Sequence, residues 1–175
     1  SVPGKEHIQL AGTPARHFSG RSLLDRNATL WSSWCVLGTS HKFFFSGDTA
    51  MFPGFREIGE KFGGFHVAAM ELGAYNKAWA DVHIGPEQCV QATKQLKADL
   101  LLPVHWATFD LSLHSWTEPG ERLLIAAQKE NQKLCLPKPG EMFEPLVVDS
   151  VPVQKWWPDA YWETAEQSPL VSSGV

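Results

Sequence analysis

Three cysteines in 175 residues are too few and too scattered for a covalent framework. Cys35, Cys89 and Cys135 form no CxxC pair and are odd in number, so neither a disulfide scaffold nor a thiolate zinc site is expected. Buried free thiols in a reducing, cytoplasmic setting are the expectation instead. Positive charge is also short: 15 Lys and Arg stand against 19 Asp and Glu, a net charge of −4. The basic residues gather in no stripe, which argues against nucleic acid as a partner. No run of about 18 apolar residues occurs, so no span should cross a bilayer. The opening SVPGKEHIQLAGTP lacks the basic start and apolar stretch of a secretory signal. Repeats and low-complexity tracts are missing as well.

What is present suits one folded domain. Apolar residues make up 43% of the chain and charged residues 19%, enough to build a core. Eight Trp and ten Phe are many for this length; most should pack in the core or on sheet faces, and the rest suit a pocket or contact surface. Ile8 to Leu10 reads as a short strand running into a Gly12-Thr13-Pro14 loop. LWSSWCVL (30–37) and KFFFS (42–46), separated by a turn-sized break, read as a β-hairpin. Phe55, Ile58 and Phe62 recur at helical spacing in PGFREIGEKF, and Gly63-Gly64 stops that helix. FHVAAMEL (65–72) and DLLLPV (99–104) fit buried strands. Further helices open at Pro86 and near Pro119, where a proline is tolerated in the first turn. The alternation of strand and helix predicts an α/β layer with sites at its strand ends. Residues 1–145 form the expected domain, followed by a Trp-rich tail over 146–175 that holds Trp156, Trp157 and Trp162.

Polar residues sit where such sites form: His17 past the first strand, Asp48 after KFFFSG, His105 after DLLLPV, and His83 in the long loop between. Each alone is unremarkable, because an isolated histidine at a strand–loop junction is more often structural and an Asp in a Gly-Asp-Thr turn is an ordinary turn residue.

The wording around these residues changes that weight. TPARHFSGR, FFFSGDT and LLPVHWATF together resemble the second, third and fourth metal-binding segments of the metallo-β-lactamase superfamily. The branch most similar holds the N-acyl-phosphatidylethanolamine-hydrolysing phospholipases D and their bacterial relatives, and LWSSWCVLG, GAYNKAW and HIGPEQ match it too. The likeness runs from about Gly12 to Glu141. It implies half of a four-layer α/β/β/α sandwich, a mixed sheet with helices on its outer face. It also implies a two-metal site in which His17 holds one ion, Asp48 bridges both through its two oxygens, and His105 holds the other. Imidazole and carboxylate donors without thiolate suit zinc. Metal-activated water would be the nucleophile, so no Ser or Cys nucleophile is required. His83 matches a histidine near the substrate, placed to bind a phosphate oxygen or pass a proton to the leaving group. His114, in LSLHSW, is a further candidate at the same mouth. His7, His41 and His66 carry no motif and are not expected to be ligands.

One departure matters. The superfamily's first segment, of the form His-x-His-x-Asp-His, should precede His17 by tens of residues, yet only sixteen residues precede it and none forms that pattern. With three ligands for two sites, metal should bind weakly and this chain should be inactive alone. The expected activity of the full-length protein is hydrolysis of a phosphodiester in a phospholipid or related amphiphile. The alternatives are a cytoplasmic hydrolase of a sugar-phosphate lactone or small ester, and a partner-binding domain without catalysis. Aromatic loops suit peripheral membrane contact and a packed core equally. The strands are apolar on both faces while the helices cover one, so the other face should be covered by a second copy in a homodimer, by the Trp156-Trp157 tail, or by polypeptide outside this sequence.

Overall fold

The computed structural model describes residues 7–174. Six strands form one sheet in sequence order: β1 (Gln9–Pro14), β2 (Ser32–Leu37), β3 (Lys42–Phe45), β4 (Phe65–Glu71), β5 (Ala98–Val104) and β6 (Lys133–Leu134). β2 runs antiparallel to both β1 and β3, and β3 to β6 are mutually parallel. The hairpin closes where expected, with Gly38 N–H donating to His41 O at 2.8 Å. The first strand runs further than its apolar residues suggested. Gly12, Thr13 and Pro14 do not form a loop but pair with Trp34, Ser33 and Ser32. A proline is tolerated there because it ends an edge strand.

Three helices connect the parallel strands: α1 (Gly54–Phe62), α2 (Pro86–Gln95) and α3 (Glu118–Glu130). All three pack on one face of the sheet, as same-handed crossovers between successive neighbouring strands require. Phe55 and Ile58 of α1, Cys89 and Val90 of α2, and Leu123 and Ala127 of α3 are buried there with Cys35, Phe44, Ala68, Met70 and Leu101 of the sheet. Each such aliphatic or aromatic side chain contributes about 1.5–3 kcal/mol by leaving water. All three cysteines are buried and free.

The opposite face is covered unevenly. Over β4 and β5, Val67 and Leu100 pack with Cys135, Phe143 and Val151. Over β1 to β3, Leu10, Trp34 and Phe45 keep 64%, 45% and 42% of their surface exposed. The Trp156-Trp157 pair does not cover this face. Trp157 is buried in the helix-side core, edge-on to Trp106 at 5.0 Å, and its indole N–H donates to Glu121 Oε1 at 3.0 Å. Trp106 and the first turn of α3 offer this ring an apolar slot and an acceptor together, which the sheet face does not.

Arg122 is the largest charged group in the interior, with 1% of its side chain exposed. Its guanidinium donates twice to Glu87 of α2, at 2.9 and 2.7 Å, and to Glu118 Oε1 at 3.2 Å. The same Glu118 oxygen accepts from Tyr75 Oη at 2.7 Å, and Oε2 accepts from Glu163 N–H at 3.0 Å. One further guanidinium N–H reaches Ser168 O at 3.1 Å. The network therefore joins α2, α3 and the chain beyond residue 160. Arg122→Ala would strand Glu118 without its cation, and removing one partner of a buried pair typically costs about 3–5 kcal/mol. Urea unfolding should show that loss; a change below about 1 kcal/mol would mean the network is energetically neutral.

Candidate metal centre

β2 reverses the chain between β1 and β3, so β1, β3, β4 and β5 all point the same way. Their C-terminal ends deliver four loops to one edge of the sheet, where open α/β sheets place their ligands. His17 follows β1, Asp48 follows β3, His83 lies in the loop after β4, and His105 immediately follows β5. All four line one cleft, together with Phe18, Ala74, Trp79, Val82 and Leu111.

Local constraints fix these loops. Gly47, just before Asp48, has φ of 59°, and a Cβ there would stand 2.8 Å from Ser32 O, so only glycine turns the chain at that point. Thr49, just after it, accepts from Arg16 N–H at 2.9 Å through Oγ1, and Ala50 N–H donates to Arg16 O at 2.8 Å. The loop bearing His17 is thereby stitched to the loop bearing Asp48. His105 and Ala107 adopt left-handed backbone angles, φ 62° and 58°, a conformation L-residues hold at a cost of order 1–3 kcal/mol and most often at functional positions. Gly73 lets the neighbouring loop pass, since a Cβ there would meet His105 O at 2.2 Å.

Asp48 Oδ1 lies 3.5 Å from His105 Nε2. That is long for a hydrogen bond and close to the separation of two donors sharing one ion at metal–ligand distances of about 2 Å. The three imidazoles form a chain, with ring centroids 5.0 Å apart from His17 to His83 and 5.5 Å from His83 to His105. His17 Nδ1 lies 2.9 Å from Phe18 O; a carbonyl only accepts, so Nδ1 carries the proton and Nε2 keeps its lone pair. That Nε2 is buried without a hydrogen-bond partner, as is Nδ1 of His105, the ring nitrogen that does not face Asp48. Buried polar atoms rarely go unpaired. A ring that donates one nitrogen to a carbonyl and leaves the other bare is the arrangement of a metal-ligating histidine. The donor set fits a cation.

Glu71, the last residue of β4, was not singled out by the sequence, because a lone carboxylate closing the apolar run FHVAAM carries no local signature. It is 1% exposed. Oε2 lies 2.8 Å from His83 Nδ1, and Oε1 accepts Thr49 N–H at 2.7 Å and Ile84 N–H at 3.4 Å. Among the described residues, Asp48, Glu71 and His105 form the group whose candidate donor atoms all lie within 4.8 Å of one another. His17 lines the same cleft but stands outside that group. Burial opposes a charge on His83, but the Glu71 hydrogen bond and the charges of Glu71 and Asp48 outweigh it, and its pKa lies above the usual imidazole value.

His114 is not among the cleft-lining residues. It stacks on Tyr75 at 4.2 Å and lines a separate pocket with Lys77, Glu118 and Glu163. His41 and His66 pair with each other at 5.5 Å, beside a groove of the other sheet face. No helix among the described residues is long and apolar enough to cross a membrane.

Comparison with known proteins agrees with this architecture. The Beta-lactamase superfamily domain matches residues 2–106. An uncharacterized protein of Mycobacterium tuberculosis is 41% identical over 155 residues, covering 87% of this chain and 41% of that protein. The N-acyl-phosphatidylethanolamine-hydrolyzing phospholipase D 1 of Caenorhabditis elegans is 38% identical over 114 residues, 63% of this chain and 32% of that protein. Igni18, a metallo hydrolase from the archaeon Ignicoccus hospitalis, superposes with a TM-score of 0.59 at 23% identity, over 79% of this chain and 52% of that one. The chain thus spans about two fifths or less of the length of these curated relatives. It has the metallo-β-lactamase fold, is similar to the N-acyl-phosphatidylethanolamine-hydrolyzing phospholipases D, and belongs to the beta-lactamase superfamily.

Proposed function

We propose that the full-length protein is a zinc-dependent phosphodiester hydrolase acting on N-acyl-phosphatidylethanolamine or a related amphiphile. The observation that carries this reading is the meeting of His17, Asp48, His83 and His105 in one cleft, with a bare, buried Nε2 on His17 and Nε2 of His105 at 3.5 Å from Asp48 Oδ1. His17 would hold one ion, His105 another, and the Asp48 carboxylate would serve both, with the remaining donors supplied from outside this chain. Zinc bound there would contribute Lewis acidity and activation of water. His83, held through Nδ1, presents its other ring nitrogen for a proton transfer to the leaving oxygen.

The walls of the cleft favour an amphiphile. Phe18, Trp79, Val82 and Leu111 are apolar, and no Lys or Arg is among the lining residues, whereas a sugar phosphate would call for cationic anchors. The loop that brings Leu111 to the cleft also exposes Phe109 and Leu113, which suits an acyl chain. In the full-length protein Asp48→Asn should abolish hydrolysis and lower the metal content, because an amide cannot bridge two cations as a carboxylate does. His83→Ala should keep the metal and lose turnover. Near-normal turnover in the Asp48 variant, with metal measured alongside, would contradict the bridging role.

The uncovered apolar surface over β1 to β3 also bears on association. We infer that the chain on its own pairs with a second copy through Leu10, Trp34 and Phe45, whose exposure is large for apolar side chains on one sheet face. Light scattering across a dilution series should show dimers; a monodisperse monomer at high concentration would overturn this.

A further inference from the structure

The Glu71 carboxylate touches both loops that carry the centre. Oε1 accepts from Thr49 N–H, next to Asp48, and from Ile84 N–H, next to His83, while Oε2 faces His83 Nδ1 itself. Its own N–H donates to Ser46 Oγ at 3.0 Å, two residues before Asp48. Donors from two loops already engage three of the roughly four lone-pair sites of this carboxylate, two on Oε1 and one on Oε2. We propose that Glu71 is a positioning residue rather than a metal ligand: it spaces the Asp48 loop from the His83 loop and fixes His83 in the tautomer with the proton on Nδ1.

The tautomer follows from donor–acceptor chemistry. A carboxylate accepting two backbone N–H groups has only acceptors to offer, so the ring nitrogen facing it must donate. Nδ1 then keeps its proton and Nε2 is the nitrogen that exchanges protons with whatever occupies the cleft. With the tautomers reversed, a neutral ring would have no lone pair at Nε2 with which to take up the proton that it passes to the leaving oxygen. The same carboxylate spans from Thr49 to Ile84, so the distance between the two loops is set by one side chain whose reach is fixed.

This inference rests on the hydrolase reading only for what His83 does, and its main readout is independent of activity. Glu71→Gln is nearly isosteric and separates the two tasks. Its amide oxygen can still accept from Thr49 and Ile84, because turning the amide round would set its NH2 against two backbone N–H donors. The NH2 then faces His83 and can only donate, which drives His83 to carry its proton on Nε2. Nitrogen-15 spectra of this chain, labelled at histidine and recorded where the ring is neutral, should show Nδ1–H for His83 in the wild type and Nε2–H in Glu71→Gln. In the full-length protein the variant should keep its zinc affinity within about threefold, while kcat falls about 10–100-fold with little change in KM, the usual scale for a residue that orients another. A wild-type His83 protonated on Nε2 overturns the proposal outright, even if the variant fails to fold. An unchanged tautomer in Glu71→Gln overturns it as well, and a tenfold or greater loss of zinc affinity would make Glu71 a ligand. A full-length protein that hydrolyses no phosphodiester would sink the hydrolase reading and leave the tautomer result standing.

Discussion

Because β2 runs against both its neighbours while β3, β4 and β5 run together, four strand ends arrive at one edge of the sheet. Handedness completes the arrangement. Crossovers that turn the same way place α1, α2 and α3 on one face, which leaves the strand ends open to solvent instead of beneath a helix. His17, Asp48, His83 and His105 are far apart in sequence, and what brings them together is strand direction. Reversing β1 would carry His17 to the opposite edge and dissolve the cleft.

Loops gathered at a sheet edge expose backbone groups that must find partners. Thr49 serves Arg16 N–H and Ser46 serves Glu71 N–H. Arg122 is satisfied in the same way, using Glu87, Glu118 and Ser168 O. Five buried side-chain atoms among the described residues lack a partner, Gln95 Oε1, His114 Nε2 and Trp156 Nε1 among them, and the other two belong to cleft imidazoles, His17 and His105. The bare Nε2 of His17 and an Asp48–His105 Nε2 distance too long for a good hydrogen bond locate the chemistry more firmly than the shape of the cleft does.

Most of the secondary structure was legible because apolar periodicity and punctuation agree: α1 between Pro53 and Gly63, the hairpin around Gly38 to His41, and the two buried parallel strands. Strand β1 was read too short, since Gly12, Thr13 and Pro14 carry a loop signal that pairing with β2 overrides. The cleft histidines and Asp48 were legible through the wording of their loops. Glu71 was not, because a lone carboxylate at the end of a buried strand has no local signature; its meaning lies in Thr49, His83 and Ile84, which only the fold brings near. The place of the Trp156-Trp157 pair, one of three covers that the sequence offers for the bare sheet face, was not legible for a related reason. Composition says that those rings will be buried, but which surface receives them depends on Trp106 and the slot beside α3.

Two buried glutamates in this chain meet their electrostatic cost differently. Glu118, 3% exposed, has the Arg122 guanidinium at 3.2 Å and Tyr75 Oη at 2.7 Å. Glu71, 1% exposed, has the His83 imidazole and backbone N–H groups, with the Asp48 carboxylate close by and no Lys or Arg among the residues lining the cleft. Desolvating a carboxylate costs several kcal/mol unless a compensating charge is near, and two carboxylates side by side raise that cost for each other. The fold supplies compensation to Glu118 from its own sequence. At the sheet edge it sets out acceptors and bare imidazole nitrogens instead, a distribution of charge that becomes favourable once a cation is bound among Asp48, His105 and their neighbours.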